Sequence, residues 1–138
     1  MAGMAGLAVA PGATPRLPIT VYKSASCGCC TEWVKHMERS GFVATIKDTE
    51  DVDAIAAQLG VPQALRACHT ALAGGYVVSG HVPGDLVRQL LRDTAGPTMG
   101  LAVPGMPAGS PGMESRRPER YQVIAWRRDG TTRVYASR

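Results

Sequence analysis

The ten residues Ser24–Trp33, SASCGCCTEW, place Cys27, Cys29 and Cys30 within four positions. Two thiols separated by two residues suffice for reversible disulfide chemistry, so the third enlarges the donor set. Where a strand runs into a helix, Cys27 falls at or before the helix start and Cys30 in its first turn. The partial positive charge there favours thiolate, which is both the nucleophile and the metal ligand. Helical neighbours lie about 100° apart, so Cys29 is expected to point away from the side that Cys27 and Cys30 share. Its remaining partner is Cys68, next to His69. A Cys29–Cys68 disulfide with His69 beside Cys27 and Cys30 is one arrangement, but four cysteines allow three complete connectivities and any of them can stay free. Adjacent strand residues face opposite sides, so Cys68 and His69 are expected to reach one ligand only if the backbone bends.

His81, in SGHVPGD, stands where the next helix begins and is a candidate ligand or cap, whereas His36 lies mid-helix and reads as structural. Met99, Met106 and Met113 fall in a Gly/Pro-rich stretch, where core packing explains a methionine less well than usual. Thiolate, imidazole and thioether form a soft donor set that suits Cu(I) over Mg, Ca or Mn. Zinc fits less well, because this spacing lacks the paired CxxC of structural zinc ribbons.

These side chains need a scaffold to converge. LPITVY (17–22) reads as a buried strand running into the cysteine loop, and Trp33, Val34 and Met37 mark a helix over about 29–40 that Gly41 stops. FVATIK (42–47) alternates as a second strand. Asp48 or Thr49 can cap a helix carrying Val52, Ile55, Ala56 and Leu59, and Pro62 opens a further helical turn to Ala67. Strands over 70–73 and 76–79 flank the Gly74-Gly75 turn, and Pro83 opens a helix that stops near Gly96. A crossover helix makes the first two strands parallel. The expected fold is α/β and thioredoxin-like, β-α-β-α-β-β-α, with a C-terminal β-hairpin turning at Asp129-Gly130. Residues 96–113 hold five Gly, four Pro and three Met, which predicts a long loop with no regular helix or strand over most of its length.

A length of 138 residues and 45% hydrophobic content suit one domain over 18–138, after an N-terminal tail or signal remnant at 1–17. That tail is small and apolar but lacks the basic start and full apolar core of a secretory signal. The net charge of +4, with few aromatics and no nucleic-acid module signature, reads as a solvated basic surface. No run approaches the ~20 apolar residues of a membrane span.

VYKSASCGCCTEW, ACHTALAGGYVVSGHVP and GLAVPGMPAGSPGM together resemble the CopG-type copper-resistance family, in the right order and over about Ile19 to Ala136. The resemblance implies a thioredoxin-like periplasmic protein that binds copper ions and acts beside other periplasmic copper-resistance proteins. It also implies several Cu(I) ions bridged by thiolates and possible interconversion of Cu(I) and Cu(II). Carried onto this chain, it selects Cys27, Cys29, Cys30, Cys68, His69, His81, Met106 and Met113 as metal ligands; Met99 lies outside the matched pattern. The competing reading is a thiol-disulfide oxidoreductase in which Cys27 attacks and Cys30 resolves, with Cys68 as a further exchange partner.

Overall fold

The computed structural model describes residues 16–93 and 96–138. Residues 1–15 of the tail reading fall outside them; Arg16 precedes the first strand and Leu17 already belongs to it. The elements run β1 (Leu17–Lys23), α1 (Gly28–Arg39), β2 (Phe42–Asp48), α2 (Val52–Gln58), a 3-10 turn (Gln63–Leu65), β3 (His69–Ala73), β4 (Tyr76–Gly80), α3 (Gly84–Arg92), β5 (Thr98–Val103), β6 (Gln122–Arg127) and β7 (Thr132–Ser137). The α/β order expected through α3 is present. All seven strands share one sheet, ordered β2-β1-β3-β4-β5-β6-β7. The β1–β2 and β4–β5 pairs are parallel, and the other neighbours are antiparallel.

Side chains alternate across a strand, and the core follows. Ile19, Val21, Ala71, Val78, Leu101 and Val123 face a cluster that includes Trp33, Val34 and Met37 of α1 and Leu86, Val87 and Leu90 of α3. Val77, Ala102 and Trp126 face the opposite way, onto Ala56 of α2 and Leu65 of the 3-10 turn. Helices therefore cover both faces.

Three local expectations change. Asp51, not Asp48 or Thr49, caps α2, accepting from the Ala54 N–H at 3.0 Å; β2 continues through Asp48 and holds the earlier candidate in the sheet. The turn after Pro62 is a short 3-10 segment ending at Leu65, short of Ala67. The largest change lies in 96–113, where Thr98–Val103 forms a strand parallel to β4 and paired on its other side with β6. Gly100 permits this: a Cβ there would collide with the Val77 carbonyl oxygen and lie 2.7 Å from the Trp126 ring. Glycine content read locally as loop is here a condition for close strand approach. A register shift between Thr98 and Gly100 accompanies Met99 packing into the α2-side core, away from the sulfur atoms.

The topology gathers the candidate residues at one edge of the sheet. β1 ends at Lys23 opposite His69, where antiparallel β3 begins. β4 returns to end at Gly80, beside the end of parallel β5 at Val103. The cysteine loop, Cys68-His69, His81 and the 104–113 loop therefore all leave the sheet from the same edge.

Candidate metal centre

Cys27 is the N-cap residue of α1, with φ −80° and ψ 97°. Its N–H bonds the Ser24 carbonyl, and its own carbonyl accepts from Thr31 N–H. Its side chain caps nothing, which leaves the sulfur free for other bonds. The apolar stripe Cys30, Trp33, Val34 and Met37 faces the core, so the hydrophobic spacing of α1 sets the direction of its first turn and of Cys30 with it. No acidic side chain occupies that turn, so the positive end of the helix is not offset locally.

Cys27 and Cys30 form a disulfide, with Cα atoms 5.3 Å apart, and Cys29 and Cys68 are free. The Cys29–Cys68 disulfide is therefore not the pairing in this structure. Cys29 also does not turn away: its Sγ lies 3.6 Å from that of Cys27. The helical angle does not apply to that pair, because Cys27 sits outside the helix in extended conformation. All four sulfur atoms lie within 4.8 Å of one another.

Cys68 and His69 do converge, because the chain bends at Cys68 before β3 begins. Cys68 Sγ is 3.5 Å from His69 Nδ1 and 3.3 Å from His81 Nε2, and one atom from each of these three residues lies within 4.8 Å of the others. Both imidazoles are 0% exposed. His81 Nδ1 donates to the Pro111 carbonyl at 2.6 Å, which leaves Nε2 with its lone pair toward Cys68. Trp33 packs on His69 with ring centroids 4.3 Å apart, and its Nε1 donates to the Val82 carbonyl at 3.0 Å.

Met106 reaches the cluster from the 104–113 loop: its Sδ accepts from the Cys29 thiol at 3.9 Å. Met113 joins the loop through its backbone, donating to Ser110 and accepting from Gly109. His36 is structural, since its Nε2 accepts the Gly84 N–H at the start of α3. The residues not foreseen are Pro111, Gly112 and the ring of Trp33. Trp33 was legible as core, but nothing in the local pattern marks the carbonyl that orients His81.

Residues 65–113 match a family model described as "Protein of unknown function, DUF411". None of the curated proteins matches the chain. Two solved structures are each 42% identical to it and cover 91% of it; they are named "Copper resistance protein copG", form 2 (TM-score 0.84, 99% of that chain) and form 1 (0.83, 98%). The chain belongs to the CopG family.

In this CopG-family chain the donor chemistry fits a soft or borderline metal ion. Burial, then the charge of His81, lowers the His69 pKa to about 3, so its ring is neutral and a competent ligand at ordinary pH. His69 Nε2 has no hydrogen-bond partner among the described residues, an orphan that is costly in a packed interior. Burial also lowers His81. Cys68 is pushed up to about 12 by burial and then by Cys29. Its proton is thus retained in the metal-free site, and a cation binding at Cys68 must displace it.

Proposed function

We propose that this chain is a periplasmic copper-resistance protein that takes Cu(I) as its cargo at the edge cluster. The observation that carries this reading is the convergence of four cysteine sulfurs within 4.8 Å, with His69 and His81 on the inner side and Met106 on the outer. Thiolates can bridge soft ions, so four of them in the reduced chain suit a small multinuclear Cu(I) cluster. Cys27, Cys29, Cys30 and Cys68 would supply the bridges, and His69, His81, Met106 and Met113 the terminal donors. A hydrogen bond to Pro111 holds His81, and packing by Trp33 holds His69, in orientation before binding. On this reading the fold is thioredoxin-like, supported by the β2-β1-β3-β4 order and the cysteines at the start of α1. The periplasmic assignment is supported by a disulfide in the structure, since oxidising compartments preserve such bonds. Partners would then be copper ions and other periplasmic copper-resistance proteins.

An anaerobic Cu(I) titration of the reduced chain against a competing chelator, with a parallel thiol count, tests the reading. More than one Cu(I) per chain is expected, and no binding tighter than the chelator overturns it. Met106→Ala and Met113→Ala should each weaken Cu(I) binding, by about tenfold, without unfolding the chain. Unchanged affinity in both removes the methionine loop from the site.

The Cys27–Cys30 disulfide favours a second reading, a thiol-disulfide oxidoreductase in which the reduced Cys27 attacks a substrate disulfide and Cys30 resolves the mixed disulfide, re-forming the Cys27–Cys30 bond and releasing the substrate as two thiols. Insulin reduction by the metal-free protein separates the two: robust turnover supports exchange chemistry, and none supports metal handling.

A further inference from the structure

With Cys27 and Cys30 joined, Cys29 and Cys68 remain as the two free thiols, their sulfurs still within 4.8 Å of each other. The thiolate is the metal-binding form of cysteine, so the disulfide withdraws two of the four thiolates. The two free cysteines stand in unlike surroundings. Cys29 lies on the outer side beside Met106, which is 53% exposed. Cys68 lies on the inner side against the two buried imidazoles.

The inner group survives oxidation, because no atom of Cys68, His69 or His81 belongs to the disulfide. Its donors differ in kind from those of the full cluster. Four thiolates are soft and strongly anionic, whereas one thiolate with two neutral imidazoles is a borderline set of the sort divalent zinc, cobalt and copper accept. Both rings are already placed, His81 by the Pro111 carbonyl and His69 by Trp33. Cys29 is not part of this three-residue group.

We propose that the Cys27–Cys30 disulfide selects which metal the centre takes. In the oxidised chain Cys68, His69 and His81 form a separate one-ion site for a divalent transition-metal cation, and reduction replaces it with the four-thiolate site for Cu(I). The second half rests on the copper reading above. The conversion balances with a small dithiol as reductant: its two thiols become one disulfide, the Cys27–Cys30 bond accepts two electrons, and two protons pass to the new thiols.

The test uses the full chain in both redox forms. Two free thiols per chain define the oxidised form. Co(II) is the probe for it, because it reports thiolate ligation by a near-ultraviolet charge-transfer band and does not oxidise thiols. One Co(II) per oxidised chain is expected. Cys68→Ser should abolish the band, His69→Gln and His81→Gln should each weaken binding by about tenfold or more, and Gly130→Ala, remote from the centre, should leave the stoichiometry unchanged. Circular dichroism and the thiol count show that each variant is folded with its disulfide in place. Absence of a cobalt band in the folded oxidised chain overturns the inner site, as does full cobalt binding by both histidine variants. Cu(I) is titrated into both forms in parallel. Equal Cu(I) capacity in the two overturns the selection. Failure of the reduced chain to bind Cu(I) while the oxidised chain binds Co(II) overturns the copper reading instead and leaves the inner site standing.

Discussion

Trp33 carries three duties that a single substitution can separate. It is fully buried, it packs on His69, and its indole N–H satisfies the Val82 carbonyl at 3.0 Å. Trp33→Phe retains an aromatic face but removes the donor and leaves a gap. A buried acceptor left unpaired costs about 1–3 kcal/mol, so the urea midpoint should fall by a corresponding amount; an unchanged midpoint would show that the carbonyl finds another partner. His81 is the complementary case. Its Nδ1 is committed to the Pro111 carbonyl, 30 positions away, so the tautomer presented to Cys68 depends on a backbone atom and not on a side chain.

The 104–113 loop is held against α1 through Gly112. Its φ is +88°, and a Cβ there would lie 2.8 Å from the Cys29 carbonyl oxygen and 3.0 Å from His81 Nδ1. Gly112→Ala therefore combines backbone strain with a steric push at the site. We expect a loss of about 1 kcal/mol or more in stability together with weaker Cu(I) binding. Gly130→Ala is the control. It has φ +85° at the β6–β7 turn but nothing within 4 Å of the added methyl, so it should lower stability and leave metal affinity alone. Equal effects of both variants on affinity would show that the loop contact is not what matters. The loop also braces itself: Ala108 N–H donates to Glu119 Oε1 at 2.8 Å, and Ser110 Oγ donates to the Pro107 carbonyl at 2.6 Å. It reaches the site as a built segment.

Stability of the metal-free protein should depend on pH with a definite sign. His36, His69 and His81 all have lowered pKa values, chiefly through burial. Unfolded histidines titrate near 6.5. Below that pH the unfolded chain binds more protons than the folded one, so stability falls as the pH drops from about 6.5 toward the folded values, about 3 for His69. Above about 6.5 both states are neutral and the term is constant. Cys68 acts at the other limb: its pKa is raised from 9.0 to about 12, so stability is lost as the pH rises through that interval. Urea midpoints of chelator-treated protein should therefore be highest between about 6.5 and 9. His36→Gln should flatten part of the acid limb, because protonation of His36 would no longer compete with acceptance of the Gly84 N–H. A midpoint that rises on acidification would contradict the assignment.

Much of this protein was legible locally. The i, i+3, i+4 stripe of α1, the alternation of β1 and β2, and the Gly74-Gly75 hairpin depend on periodicity within one element, and each stands where the residue pattern put it. The donor set, too, was readable from residue types. Three matters were not, because each is settled by contacts between distant segments. β5 was hidden by its glycine and proline neighbours, since its stability comes from pairing with β4 and β6 and Gly100 is required by the Val77 backbone. The Cys27–Cys30 pairing and the approach of Cys29 follow from the extended N-cap backbone of Cys27, which residue spacing does not encode. The union of Cys68, His69 and His81 follows from strand order: antiparallel β3 and β4 bring residues 13 positions apart to one edge, and a bend turns Cys68 toward them. Local chemistry named the candidate ligands, and long-range packing decided which of them meet.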